Sequence, residues 1–295
     1  MSAVLLGTAE VHSPEWHELR AGGIGGSEIA AVLGLSRWTS PFQLWHRKRG
    51  NLPEQPMSSA MDWGNRLEPL VRDWFAEQHP EFYVEATPGT YAHSERPWQR
   101  VNPDGLLATW DANGERQRDE YDALLEIKTS RFGDGFTRED IPLDYMCQVQ
   151  WSLDVFGLDT AHVVVLIGGN DPREYVIKAN PGDQATLRAA AEKFWNSIQS
   201  DEQPPLDCTD HTYEAVRDLN PLIDKDLVID LPGEVWHKYV AAKATIAAGE
   251  GALTFAKAEI LQLMGAARVA RFAKQDVLRR QLSSAKKPYL KEVSQ

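Results

Sequence analysis

The sequence predicts an α/β fold followed by a helical C-terminal appendage, and three observations carry that expectation. Between residues 60 and 200, segments with helical apolar spacing alternate with short runs of β-branched and aromatic residues, the pattern of a sheet with helices packed on it. The stretch Ala123-Leu124-Leu125-Glu126-Ile127-Lys128 reads as a strand, with Glu126 and Lys128 on one face and Leu125 and Ile127 on the other. A composition change at Pro204-Pro205 separates this region from an alanine-rich and then basic C-terminal part. The expected division is 1–205 for the core and 206–295 for the appendage.

Taken in order, Ser13-Pro14-Glu15-Trp16 offers a serine N-cap and a proline at the first helical position. Gly22-Gly23-Ile24-Gly25-Gly26 forces a turn; Ser27 is expected to cap a short helix over 28–33, and Gly34 to stop it. Pro41 opens a further helix through Arg49. Residues 60–78 place Leu67, Leu70, Val71 and Trp74 at i, i+3, i+4 and i+7, which predicts a longer helix with Glu68 bordering its apolar stripe. Strands are expected at 82–86, 90–92, 105–110 and 121–128, the last two joined across Asp111-Ala112-Asn113-Gly114 by an Asn-Gly turn. A helix over 143–156 turns Met146, Val149, Leu153 and Phe156 inward and carries Gln148 on its flank. Strands at 161–167 and 174–178 and a helix at 183–199 complete the core. In the appendage, 232–267 reads as one or two helices and 268–283 as a basic hairpin or extended tail.

Composition narrows the function. A chain of 295 residues with 42% hydrophobic and 25% charged residues has enough apolar material for a sizeable core. No apolar run approaches the ~20 residues of a membrane span. The first ten residues have no basic n-region and no cleavage site, so no signal peptide is expected. The two cysteines, Cys147 and Cys208, exclude a four-cysteine metal or iron–sulfur site and point to a reducing, cytoplasmic compartment. A net charge of −12 argues against a general nucleic-acid coat. It is compatible with an enzyme whose site needs carboxylates, provided a local basic patch holds the phosphates. Candidates for that patch are Arg37, Arg47-Lys48-Arg49, Arg131, Arg138 and the basic residues of 268–291; Trp38, beside Arg37, is a candidate for stacking on DNA.

The chemistry is concentrated in three fragments. Glu126 and Lys128 share one face of a strand that is otherwise apolar, a poor arrangement for a core and a good one for an active site. The hairpin brings Asp104, in Asn102-Pro103-Asp104-Gly105, close to this pair. Two carboxylates and an ammonium are what a magnesium-dependent phosphodiesterase needs: carboxylates hold the metal, the metal polarises the phosphate, and the lysine orients or activates the attacking water. The third fragment is Gln148-Val149-Gln150. His17 reads as structural, since a hard, oxygen-ligated cation does not need it.

Six fragments together resemble the lambda exonuclease and YqaJ-type viral recombinase family, within the Pro-Asp-(Asp/Glu)-x-Lys nuclease superfamily. They are Trp16-His17-Glu18-Leu19-Arg20, Gly26-Ser27-Glu28, Trp63-Gly64-Asn65-Arg66-Leu67-Glu68, Asn102-Pro103-Asp104-Gly105, Leu125-Glu126-Ile127-Lys128 and Tyr145-Met146-Cys147-Gln148-Val149-Gln150, in the family's order over residues 12–170. The resemblance implies a restriction-endonuclease-like nuclease core, a central mixed sheet flanked by helices. It implies that Asp104 and Glu126 bind Mg²⁺ with the Ile127 carbonyl as a further ligand, Mn²⁺ substituting and two ions bound. Glu68 then supports the metal site or a second metal, Lys128 positions the water, and Gln148 contacts the nucleophile or lysine region. Arg20 and Ser27 match positions that grip a terminal 5′-phosphate, with Asn102 near that pocket, although the family representative has serine where this chain has Asn102. The implied activity is 5′-to-3′ digestion of linear double-stranded DNA that leaves 3′ single strands for phage-type recombination in a bacterial host cytoplasm. The implied partners are DNA ends, a single-strand annealing protein and further copies in a homotrimer. An endonuclease on the same site and a non-catalytic DNA-end-binding module are the alternatives.

Overall fold

Strand β7 (Ala123–Ser130) organises the core, because its two faces carry different residues and each face receives its own helix. It lies at the centre of a five-stranded sheet ordered β3 (Phe82–Glu85), β6 (Gly105–Thr109), β7, β8 (Thr160–Ile167) and β9 (Asp171–Lys178). Only β7 and β8 run parallel; the other neighbours are antiparallel, so the sheet is mixed. A parallel pair needs a crossover, and helix α5 (Leu143–Phe156) supplies it. This computed structural model describes residues 3–10, 13–87, 89–110, 114 and 121–293.

On one face, Val71 and Phe75 of helix α4 (Ser59–Gln78) pack on Leu107, Ala123, Leu125, Ile127 and Val164. On the other, Val149, Leu153 and Phe156 of α5 pack on Leu106, Leu124, Val163 and Val165. Burying a large aliphatic or aromatic side chain contributes roughly 1.5–3 kcal/mol, so these two faces hold the sheet and its helices together. Behind α5, helix α6 (Pro181–Ser200) and the short α2 (Ile29–Val32) share a cluster around the fully buried Trp151. A smaller sheet ordered β1 (Ala3–Thr8), β4 (Gly89–His93), β5 (Gln99–Val101) and β2 (Ile24–Gly25) adjoins α5 and helix α1 (Pro14–Ala21). Helix α3 (Pro41–Lys48) meets α7 (Asp210–Leu219) through Phe42 and Ala215.

The described chain divides into two units, Met1–Leu222 and Ile223–Gln295, later than the composition change at Pro204-Pro205, because α7 belongs to the first unit. The second unit consists of one long helix, α8 (Gly233–Met264), and an antiparallel sheet of β10 (Val269–Phe272), β11 (Gln275–Leu282) and β12 (Pro288–Glu292). The expected basic hairpin is therefore present and gains a third strand. Among the described residues no helix is long and apolar enough to cross a membrane.

Three local expectations are corrected. Ser27 does not cap α2: the helix begins at Ile29 with Glu28 at its N-cap and no side-chain capping bond, and the Ser27 hydroxyl faces Arg20 instead. Leu70 is 63% exposed, and the buried stripe of α4 runs through Val71 and Phe75. Strands β1, β2 and β5 were not foreseen; β2 lies in the expected glycine-rich turn, and β2 and β5 have two and three residues, too few for periodicity to register. The expected turn at Asp111-Ala112-Asn113-Gly114 lies outside the described residues except for Gly114, whose φ of 75° is the left-handed value such a turn uses.

Candidate active site

The antiparallel register pairs Gly105 with Leu125, which carries Asp104 to the side of β7. There its carboxylate accepts a hydrogen bond from the Ile127 main-chain N–H at 2.7 Å. Glu126 is buried on the α5 face of the strand. One of its oxygens receives both the Lys128 ammonium and the Gln148 side-chain amide. Gln148 reaches it because α5 crosses that face with Gln148 on its sheet-side flank. From the other side of β7, Glu68 of α4 is joined by Arg72, one turn on; Arg72 also donates to the Asp104 main-chain carbonyl at 3.0 Å. Five of the sequence-selected residues, Glu68, Asp104, Glu126, Lys128 and Gln148, are thus brought into one neighbourhood.

Electrostatics show how closely they interact. Burial, then the Asp104 charge, pushes the Glu68 carboxyl up to about 7. Glu126 is pushed up to about 7 by burial, with Asp104 and Glu68 adding to the rise and Lys128 opposing it. Burial also raises Asp104, against the pull of Lys128. Burial disfavours the Lys128 ammonium, but Glu126 and Asp104 outweigh it and the amine is held more basic than usual. Three carboxylates that resist ionising together are an oxygen-donor set suited to a hard divalent cation, whose charge would remove the conflict. Their oxygen chemistry suits Mg²⁺ or Mn²⁺, but the ligand oxygens of the three do not all lie within 4.8 Å of one another, so they would have to draw together around an ion.

Arg20 and Ser27 are in contact, Arg20 Nη2 donating to the Ser27 hydroxyl at 3.0 Å. Arg20 also lies 3.7 Å from Glu28 and stacks over Trp16. This loop adjoins Gln148, whose amide reaches Glu126: a Cβ at Gly26 would lie 3.5 Å from Gln148 Cγ. Arg37 makes a forked pair with Asp144 and stands 5.6 Å from the Tyr145 ring centre, while Lys128 Nζ stands 5.2 Å from the same centre. Arg37 and the exposed Trp38 therefore flank the site. Asn102 is turned elsewhere: it donates to Gly89 O at 3.1 Å and to Thr90 Oγ1 at 2.8 Å, fastening β4. Lys48 and Arg49 are also structural, paired with Glu28 and Asp201. Arg72 was missed by sequence reasoning, the i,i+4 spacing of Glu68 and Arg72 being the available signal, and Tyr145, within a matched fragment, was given no role.

The geometry can now be set beside known proteins. The model of the YqaJ-like viral recombinase domain matches residues 15–159, a span that contains every residue of this neighbourhood. The protein is 31% identical over 237 residues to the uncharacterized protein YqaJ of Bacillus subtilis (strain 168), covering 77% of this chain and 70% of that one. The chain belongs to the YqaJ-like viral recombinase family. Its structure is similar to that of an alkaline exonuclease (LHK-Exo) from Laribacter hongkongensis, with a TM-score of 0.50 and 18% identity over 64% of this chain and 94% of that one. The fold is restriction-endonuclease-like: a mixed sheet with its acidic residues at the middle strand and helices on both faces.

Proposed function

We propose that this YqaJ-family chain is a metal-dependent exonuclease that digests linear double-stranded DNA in the 5′-to-3′ direction and leaves 3′ single strands for phage-type recombination. The observation that carries the proposal is the meeting of Asp104, Glu126 and Glu68 with Lys128 and Gln148 around one strand. Asp104 and Glu126 would hold Mg²⁺, with the Ile127 carbonyl as a further ligand and Mn²⁺ substituting, and Glu68 would support that site or a second ion. The cation these residues would hold would supply polarisation of the scissile phosphate and a water made nucleophilic near neutral pH. Lys128 orients that water from its place on Glu126, and Gln148 keeps the Glu126 carboxylate aimed. Arg20 and Ser27 grip the terminal 5′-phosphate, and their loop abuts Gln148, so a held end presents its first diester to the carboxylates. Arg37 and Trp38 contact the strand beyond. The partners are DNA ends, a single-strand annealing protein and two further copies of this chain, in the host cytoplasm.

Digestion of end-labelled linear duplex beside covalently closed circular duplex tests this. With Mg²⁺ the linear DNA should shorten from its 5′ ends and the circle should persist; chelator should protect both. Cutting of the circle would make the protein an endonuclease on the same site, and intact linear DNA would make it an end-binding module.

A further inference from the structure

Among the described residues, the group of His, Cys, Asp or Glu side chains whose ligand atoms all lie within 4.8 Å of one another is His79, His162 and Glu174. These three stand apart from the catalytic carboxylates. His79 follows the end of α4, eleven residues after Glu68, roughly 16 Å along a helix at 1.5 Å per residue. His162 lies early in β8, opposite Val176, and Glu174 lies opposite Val164, so the two are diagonal neighbours on the sheet face that α4 covers. We propose that His79, His162 and Glu174 form a second metal site, for zinc or a similar borderline divalent ion, that ties the end of α4 to β8 and β9.

The donors suit such an ion. Glu174 presents one oxygen to each ring, 2.8 Å from His79 Nε2 and 2.7 Å from His162 Nδ1. Around a tetrahedral zinc with bonds of about 2.0–2.1 Å, neighbouring donors stand roughly 3.3 Å apart, so the two Glu174–histidine contacts would open by about half an ångström, while the three ligand atoms already lie within 4.8 Å of one another. Two imidazoles and a carboxylate favour zinc over the hard cations that oxygen donors select. The outer partner of a metal-bound histidine is also present: Glu81 lies 2.9 Å from His79 Nδ1, placed to accept its N–H and leave Nε2 as ligand. Phe75 and Phe82 wall the His162 ring, each at 5.4 Å between centres. His79 and Glu174 remain partly exposed, which leaves an entry path and room for a water as fourth ligand.

The experiment titrates Zn²⁺ calorimetrically into the chelator-stripped, full-length protein, using Glu126→Gln as background to remove zinc binding at the catalytic carboxylates. One equivalent should bind in that background. Co²⁺ in place of zinc should give the visible absorption of a four- or five-coordinate site. Glu81→Gln should weaken binding roughly ten- to a hundredfold, and His79→Gln or Glu174→Gln by more. His79 and Glu81 are near the surface, so their variants keep the test valid if Glu174→Gln folds poorly. Unchanged zinc affinity in the folded His79→Gln variant, or no equivalent bound in the background protein, would overturn the proposal and leave a hydrogen-bonded cluster without metal.

Discussion

Glu68 and Glu126 carry the clearest consequence at the scale of single residues. Both have carboxyls pushed up to about 7, from an ordinary value of 4.5, by burial and by neighbouring carboxylates. The metal-free folded state therefore binds more protons than the unfolded state between those values, and its stability from these groups falls as pH rises through that window. In chelator, the wild type should lose more melting temperature between pH 5.5 and 8 than Glu126→Gln does; Mg²⁺ should restore it at pH 8. Equal pH slopes for the two proteins would refute the coupling. Arg20 gives a second test. A terminal phosphate carries more charge than an internal diester, and an arginine can meet it with two parallel hydrogen bonds. Losing one such contact costs ~1.5–3 kcal/mol, so Arg20→Ala should digest 5′-phosphorylated ends roughly ten- to a hundredfold more slowly and lose its preference over 5′-hydroxyl ends. A full preference retained by Arg20→Ala would move the pocket elsewhere. Asp104, Glu126 and Lys128 were legible because a period of two and one hairpin suffice to bring them together, whereas Glu68 and Gln148 took their roles from the family resemblance. Tyr145 and the Asn102 contacts were not legible, since each depends on a neighbour that only the packed fold supplies.

Among the elements, the β2–β5 pairing is the most exposed to a single change. Ile24 N–H donates to Trp98 O at 2.7 Å, and a Cβ added at Gly23 would stand 2.3 Å from that same carbonyl oxygen. Main chain cannot swing aside as a side-chain tip can, so Gly23→Ala should destabilise the protein by roughly 1–3 kcal/mol, read as a lower melting temperature. Gly249→Ala is the control: it meets nothing within 4 Å in the middle of α8, where alanine is favoured over glycine by about 1 kcal/mol. A Gly23→Ala melt matching wild type would mean that β2 yields freely. Elements with long periodic sequences, α4, α5 and β7, were readable from the chain. Of the smaller sheet only β4 was: β2 and β5 have two and three residues and exist only because partners from distant sequence line up beside them.

For the whole molecule the proposed function raises the question of how an acidic protein would stay on DNA. A net charge of −12 gives weak general attraction to phosphates, and the bases flanking the site, Arg20, Arg37 and Lys128, are local. On the proposed reading, a closed ring around the duplex would offset that weakness by topology; that the ring has three copies is what the family resemblance implies. Light scattering should give three times the 33.1 kDa chain mass at working concentration. A monomeric mass would remove the ring. The most direct trial of the active site itself is the Lys128→Ala variant on end-labelled linear duplex with Mg²⁺, with DNA binding measured alongside. Lys128 is paired with the buried Glu126, so the melting temperature of Lys128→Ala is measured as well, to separate lost chemistry from lost folding. Cleavage should be abolished while binding to DNA ends persists; digestion at the wild-type rate would contradict the site.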